Sequence, residues 1–138
     1  MEYLETLEQE VSLWPQVSTD PHRFGGREFR FGRAEIGHVH PGGILDIPFP
    51  RSIRDALLAD GIAEEHHWVP NSGWMTFRIG SDEDVKRAIW LLHLSYLRYL
   101  MKTASDPRRV LDEQAENLRL SPRYKSMFDP FIAKSTAA

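Results

Sequence analysis

Ala34-Glu35-Ile36-Gly37-His38-Val39-His40-Pro41-Gly42-Gly43-Ile44-Leu45-Asp46-Ile47-Pro48-Phe49 reads as two strands around a turn. Pro41-Gly42-Gly43 supplies the turn, because proline presets φ and glycine accepts the backbone angles that a reversal needs. Pro48 places the second run at the edge of a sheet or at a strand end. Alternate side chains share a face in an extended chain. His38 and His40 are therefore expected to project together with Ile36 and Ala34, while Glu35 and Val39 face away.

Working outward, Arg27 to Phe31 forms a preceding strand joined to the first run around Gly32-Arg33, and Thr19-Asp20-Pro21 and Gly25-Gly26 mark turns. Leu4, Leu7, Val11 and Trp14 recur at helical spacing over residues 2–14, and Pro15 ends the run. Downstream, a short helix opens at Pro50 or Ser52 and closes at Gly61. Ala63 to Val69 and Trp74 to Ile79 then flank a four-residue connection, Pro70-Asn71-Ser72-Gly73, suited to a hairpin. Pairing Val69 with Trp74 puts His67 opposite Thr76 and Glu65 opposite Arg78, with His66 and Trp68 on the face of Met75 and Phe77. Ser81 caps a long helix to about Thr103 whose apolar surface is broad enough for burial on two sides or for a homodimer. A last helix runs from Asp106-Pro107 to Leu118, and the tail beyond Ser121 reads as loosely held. The pattern predicts one α+β domain over residues 1–138, a mainly antiparallel sheet of about five strands with helices packed on it.

The chain has 138 residues, 41% of them hydrophobic, a net charge of −3 and no cysteine. Disulfides, thiolate metal sites and a cysteine nucleophile are thereby excluded. The glutamate-rich start lacks the apolar core of a signal peptide. Ile89 to Met101 is broken by His93, Ser95 and Arg98 and is shorter than the roughly 20 apolar residues a membrane span needs. The expected setting is cytoplasmic, with no membrane partner. Arg23, Arg27, Arg30 and Arg33 interleave with Phe24, Phe29 and Phe31, a pattern able to stack bases, but it fits a half-buried strand better and no nucleic-acid partner is expected. Neither a Gly-x-Ser-x-Gly elbow nor a phosphate-binding loop occurs.

Four of the six histidines lie in two motifs, His38-Val39-His40 and Glu65-His66-His67-Trp68. Imidazole titrates near neutrality, which makes His38, His40, His66 and His67 the candidate catalytic groups. His66 and His67 are adjacent, so only one of them can join the first pair. Asp46, Trp68, Trp74 and Arg78 are the candidate ligand contacts, with Asp46 orienting an imidazole and the tryptophans forming a wall for a flat molecule. His38, His40, Asp46 and one hairpin histidine would supply a nitrogen and oxygen donor set suited to zinc, iron or nickel. The spacing Gly32-x5-His38-x-His40 opens like the cupin metal motif, yet Ile44 and Leu45 stand where that motif carries glutamate. No native metal and no cofactor are therefore expected.

His38-x-His40-Pro41-Gly42-Gly43, Leu45-Asp46-Ile47-Pro48, Arg54-Asp55, Glu65-His66-His67, Ser72-Gly73-Trp74-Met75-Thr76-Phe77 and Leu94-Ser95-Tyr96 together resemble the luciferase-domain family, small relatives of fungal luciferase. The named member oxidises a polyphenolic pyrone with molecular oxygen without a known organic cofactor. The resemblance implies a shared pocket for a small molecule and, by extension, a cofactor-independent, oxygenase-like enzyme acting on a phenolic or enolic substrate by histidine acid–base chemistry. The alternative is a non-catalytic ligand-binding or protein-interaction domain. An enzyme requires His38 and His40 to share one cavity with His66 or His67.

Overall fold

Leu4, Leu7 and Val11 form one buried stripe and build α1 (Glu2–Val11) in the computed structural model, which describes residues 2–66 and 72–132. Beside it, β1 (Val17–His22), β2 (Gly26–Phe31), β3 (Ala34–Val39), β4 (Ile44–Pro48), β5 (Glu64–Glu65) and β6 (Trp74–Arg78) form a six-stranded antiparallel sheet in the order β1-β2-β3-β4-β6-β5. The architecture is α+β, with one strand more than the sequence pattern predicts. The additional strand is β1, where Thr19-Asp20-Pro21 pairs with Phe29-Glu28-Arg27 instead of turning. Its place at the sheet edge is what makes a proline tolerable within it. A single 3-10 turn over Arg23–Gly25 joins β1 to β2 and holds Phe24 at φ 58°, in the left-handed region.

Register corrects the expected faces twice. Arg30 pairs with Glu35 but Phe29 pairs with Gly37, so β3 carries an extra residue against β2. Beyond such a bulge the side chains exchange faces. Ile36 and Val39 are fully buried, and a Cβ on Gly37 would come within 2.9 Å of Leu92. Glu35 instead joins His38 on the opposite face, with Oε2 2.7 Å from Nδ1. In the β5–β6 pair, Glu64 lies opposite Thr76 and Glu65 opposite Met75, a shift of odd parity from the predicted hairpin register. His66 therefore moves from the expected face of Met75 to that of Thr76.

α2 (Arg51–Ala59) is closed by Gly61 at φ 70° and buries Ile53, Ala56 and Leu57 along with Arg54. α3 (Asp82–Thr103) starts as the sequence predicts, with Ser81 Oγ accepting from the Asp84 N–H and Asp84 Oδ2 accepting from the Gly80 N–H. As far as Ser95 it lies on the sheet, where Ser95 Oγ donates to the Ile36 carbonyl at 2.8 Å.

Two compact units divide the chain at Ser95 and Tyr96. The second contains the end of α3, α4 (Pro107–Leu118) and α5 (Pro122–Ser126). Asp106 and Ser121 cap the latter two helices, and Lys125 Nζ lies 2.8 Å from Asp112 Oδ1. Tyr124, Phe128 and Phe131 are buried at helical spacing. The segment after Ser121 is thus better anchored, through residue 132, than its sparse patterning implies. Among the described residues no helix is long and apolar enough to cross a membrane.

Candidate functional site

Asp46 is the centre of the site. On β4 it pairs with His38 of β3 and with Thr76 of β6, and its side chain is buried between them. Oδ1 accepts the Thr76 hydroxyl at 2.6 Å. Oδ2 faces three imidazoles, at 3.1 Å from His40 Nε2, 3.3 Å from His38 Nε2 and 3.5 Å from His66 Nε2. Burial alone would raise the carboxyl pKa, but the His38 and Thr76 hydrogen bonds and the nearby imidazoles outweigh it and hold Asp46 well below the usual carboxylate range.

His38 lies between two carboxylates. Burial disfavours its charged form, yet the Asp46 and Glu35 hydrogen bonds, supported by both charges, raise its pKa to about 9. At neutral pH and without a metal it is an imidazolium. His38 and His40 have ring centroids 5.0 Å apart with planes at 80°.

A third imidazole enters from the edge strand. His22, the last residue of β1, stacks on His38 at 4.1 Å and contacts Glu28 Oε1 through Nδ1 at 3.1 Å. Glu28 is ion-paired to Arg30 in turn. His22, His38 and His40 each present a ring nitrogen within 4.8 Å of the others.

These groups line a pocket of about 320 Å³ together with Arg23, Phe24, His66 and Trp74. Trp74 supplies an aromatic wall, 5.4 Å from the His38 ring and 5.9 Å from the His66 ring. Its backbone N–H donates to the Ser72 hydroxyl, and buried Arg54 reaches its backbone carbonyl through Nε at 3.5 Å. At the mouth, Phe24 is 90% exposed.

The sequence-predicted set thus divides. His38, His40, His66 and Asp46 converge, and Trp74 walls the same cavity. His67 and Trp68 lie outside the described residues. Arg78 is exposed, paired with Glu64 at 2.9 Å and absent from the pocket lining. The sequence pattern does not single out His22, because Asp20-Pro21 and Gly25-Gly26 read as turns, and it assigns Arg23 and Phe24 to a half-buried basic–aromatic strand, whereas they form a 3-10 turn with Phe24 exposed. Extending the hairpin back to Val17 would have found His22 opposite Gly26. Strict alternation puts Glu35 on the face opposite His38, and the bulge that brings the two together has no signature in the composition of β3.

Residues 33–95 match the family model of the luciferase domain. No curated protein and no solved structure matches the chain.

Proposed function

Because residues 33–95 belong to the luciferase-domain family, we propose that the pocket binds a small aromatic molecule bearing a phenolic or enolic hydroxyl and that its imidazoles move that proton. The observation that supports this reading is convergence. His22, His38 and His40, and His66 come from three separate segments and meet in one cavity walled by Trp74. Isolated structural histidines give no such meeting, and a cavity of this size admits a one- or two-ring ligand.

In this reading Trp74 and Phe24 bracket the ring, Arg23 stands at the rim for an anionic substituent, and His40 or His22 accepts the hydroxyl proton. The cationic His38 faces the oxyanion that results. Molecular oxygen is the co-substrate. The enolate carbon forms a bond to one oxygen atom, dioxygen gains the electron pair, and the imidazolium returns its proton to the distal oxygen, so that substrate plus dioxygen yields a hydroperoxide. The protein supplies proton transfer and orientation, and the electrons come from the substrate.

A panel of phenols and enolisable pyrones, titrated while Trp fluorescence and oxygen consumption are followed, tests the reading. Binding that weakens at least tenfold in Trp74→Ala, with oxygen uptake abolished in His40→Ala, supports it. Binding without oxygen uptake in the parent protein would leave a ligand-binding domain, and no binding across the panel would end the proposal.

A further inference from the structure

We propose that His22 is the residue that takes the hydroxyl proton and that Glu28 is the carboxylate that positions it, a pair built at the edge of the pocket by β1 and β2. The proposal rests on the reading of the pocket as a site that moves such a proton, and it decides between the two imidazoles, His40 and His22, that this reading leaves open.

Ring orientation is the first argument. His40 turns its Nε2 to Asp46 Oδ2 at 3.1 Å. Asp46 is held ionised, and an ionised carboxylate only accepts, so His40 carries its hydrogen on Nε2 and keeps its lone pair on Nδ1, beside its own Cβ. His22 is turned the other way. Its Nδ1 meets Glu28 Oε1 at 3.1 Å, which puts the hydrogen on Nδ1 and the lone pair on Nε2, at the far end of a ring that lines the cavity. His38 already holds its proton between Asp46 and Glu35 and has no lone pair to offer.

Charge is the second. An imidazole that gains a proton is stabilised by an anion beside it. Asp46 Oδ2 is shared by three rings, whereas among the described residues Glu28 is ion-paired with one imidazole, that of His22. Glu28 pairs in register with Asp20 of β1 and with His38 of β3, so it stands between the strands that carry the two stacked rings. Arg30 ion-pairs with Glu28, reaches Asp20 Oδ2 at 3.7 Å and donates to the Arg33 carbonyl at 3.0 Å. The carboxylate is thereby fixed in place and its charge tempered. A carboxylate that orients an imidazole and answers its charge is the supporting member of a catalytic triad.

Placement is the third. His22 stacks on His38 at 4.1 Å with planes 18° apart, and His22, His38 and His40 each present a ring nitrogen within 4.8 Å of the others. A hydroxyl at this edge meets a lone pair on one ring and a positive charge on the next. The O–H bond breaks, its electron pair stays on the oxygen, and the proton forms the new bond to His22 Nε2.

The probe is 4-nitrophenol, whose phenolate is coloured, and the control is 4-nitroanisole, which has no proton to give. Binding is followed by Trp fluorescence in full-length protein, at a pH below that at which the free phenol ionises. The parent should bind both and show phenolate colour with 4-nitrophenol. His22→Gln should lower the bound phenolate fraction about tenfold, and Glu28→Gln, whose amide oxygen still accepts from Nδ1, about threefold, with 4-nitroanisole binding unchanged within about twofold. Arg30→Gln, which leaves the whole charge of Glu28 to His22, should raise the fraction. A merely structural pair would weaken both ligands alike. Oxygen uptake is not the readout, since His40 also holds Asp46 and its loss stops turnover whichever ring is the base. Circular dichroism first shows each variant to be folded, and if Glu28→Gln is not, the sign of the Arg30→Gln effect decides. Phenolate unchanged in His22→Gln but lost in His40→Ala overturns the assignment and leaves the proposed function standing. Phenolate unchanged in Glu28→Gln strikes Glu28 from the pair. An absence of phenolate in the parent complex overturns both this inference and the proton-transfer reading on which it rests.

Discussion

Phe24 stands at the rim of the pocket, and Asp46 lies beneath it, behind the imidazoles of His38, His40 and His66 that line it. Asp46 is 0% exposed and Phe24 is 90% exposed. The floor residue is fixed by partners on the strands to either side, His38 on β3 and Thr76 on β6, so the fold depends on it as much as the chemistry does. The rim residue rests on a three-residue turn and can be changed without disturbing the sheet. Chemistry and stability are therefore inseparable at the floor and separable at the rim, and the contrast orders the consequences of mutation.

Asp46→Ala should have the largest effect. It removes a buried carboxylate and leaves the Thr76 hydroxyl and the imidazoles of His38, His40 and His66 around a void. Breaking a buried ionic group on one side costs about 3–5 kcal/mol. Urea denaturation of parent and variant measures it, and a loss under about 1 kcal/mol would show the floor to be as dispensable as the rim.

Alkaline pH should come next. His38 has its pKa raised to about 9 from an unfolded value of about 6.5. The folded state holds that proton more tightly. The associated stability, on the order of 3 kcal/mol at most, is fully present below about pH 6.5 and is lost as pH rises through about 9. Asp46 has the opposite sign: its depressed pKa stabilises the fold above the unfolded carboxyl value of about 3.9, and this is lost as pH falls. A stability plateau between about pH 4 and 6.5 should follow. Urea midpoints at pH 6.5 and 9 measure the alkaline limb, which His38→Gln should flatten and Phe24→Ala should preserve. An equally steep limb in His38→Gln would assign the titration to another group.

The same contrast explains what could be read from the sequence. Local signals located most elements: Pro41-Gly42-Gly43 the turn, Ser81 and Asp84 the start of α3, and Gly61 the end of α2. They also brought His38, His40 and Asp46 together, because adjacent strands joined by a short turn leave little freedom of register. What escaped was set by single-residue insertions and distant pairing. The bulge at Ile36 turned Glu35 toward His38, the β5–β6 register turned His66 toward Asp46, and the pairing of β1 with β2 delivered His22 from an edge carrying a proline. A one-residue change reverses a face without altering composition, so faces were less legible than elements.

His40→Ala should fall between floor and rim. Its ring is partly exposed and shares Asp46 with two other imidazoles, while its backbone N–H and carbonyl remain bonded to Ile44 and Gly43. A cost of about 1 kcal/mol or less is expected, since the carboxylate keeps other donors. Thermal melting beside the ligand titration checks it. A loss above about 3 kcal/mol would move His40 into the structural floor.

Phe24→Gly should have the smallest effect on stability, and it has an unusual sign. Holding an L-residue with a side chain in the left-handed region costs about 1–2 kcal/mol, and at φ 58° Phe24 bears that strain. Glycine removes it but loses more backbone entropy on folding, about 0.5–1 kcal/mol. With 90% of the residue exposed there is almost no packing to lose. The difference favours the variant by about 0.5 kcal/mol. Phe24→Ala keeps the strain and should melt like the parent. If the ring is retained there to cover an aromatic ligand against Trp74, both variants should bind that ligand at least fivefold more weakly while remaining as stable as the parent or more so. Calorimetric melting with parallel fluorescence titration separates the two roles, and a marked loss of stability in Phe24→Ala would show that the rim, like the floor, is part of the fold.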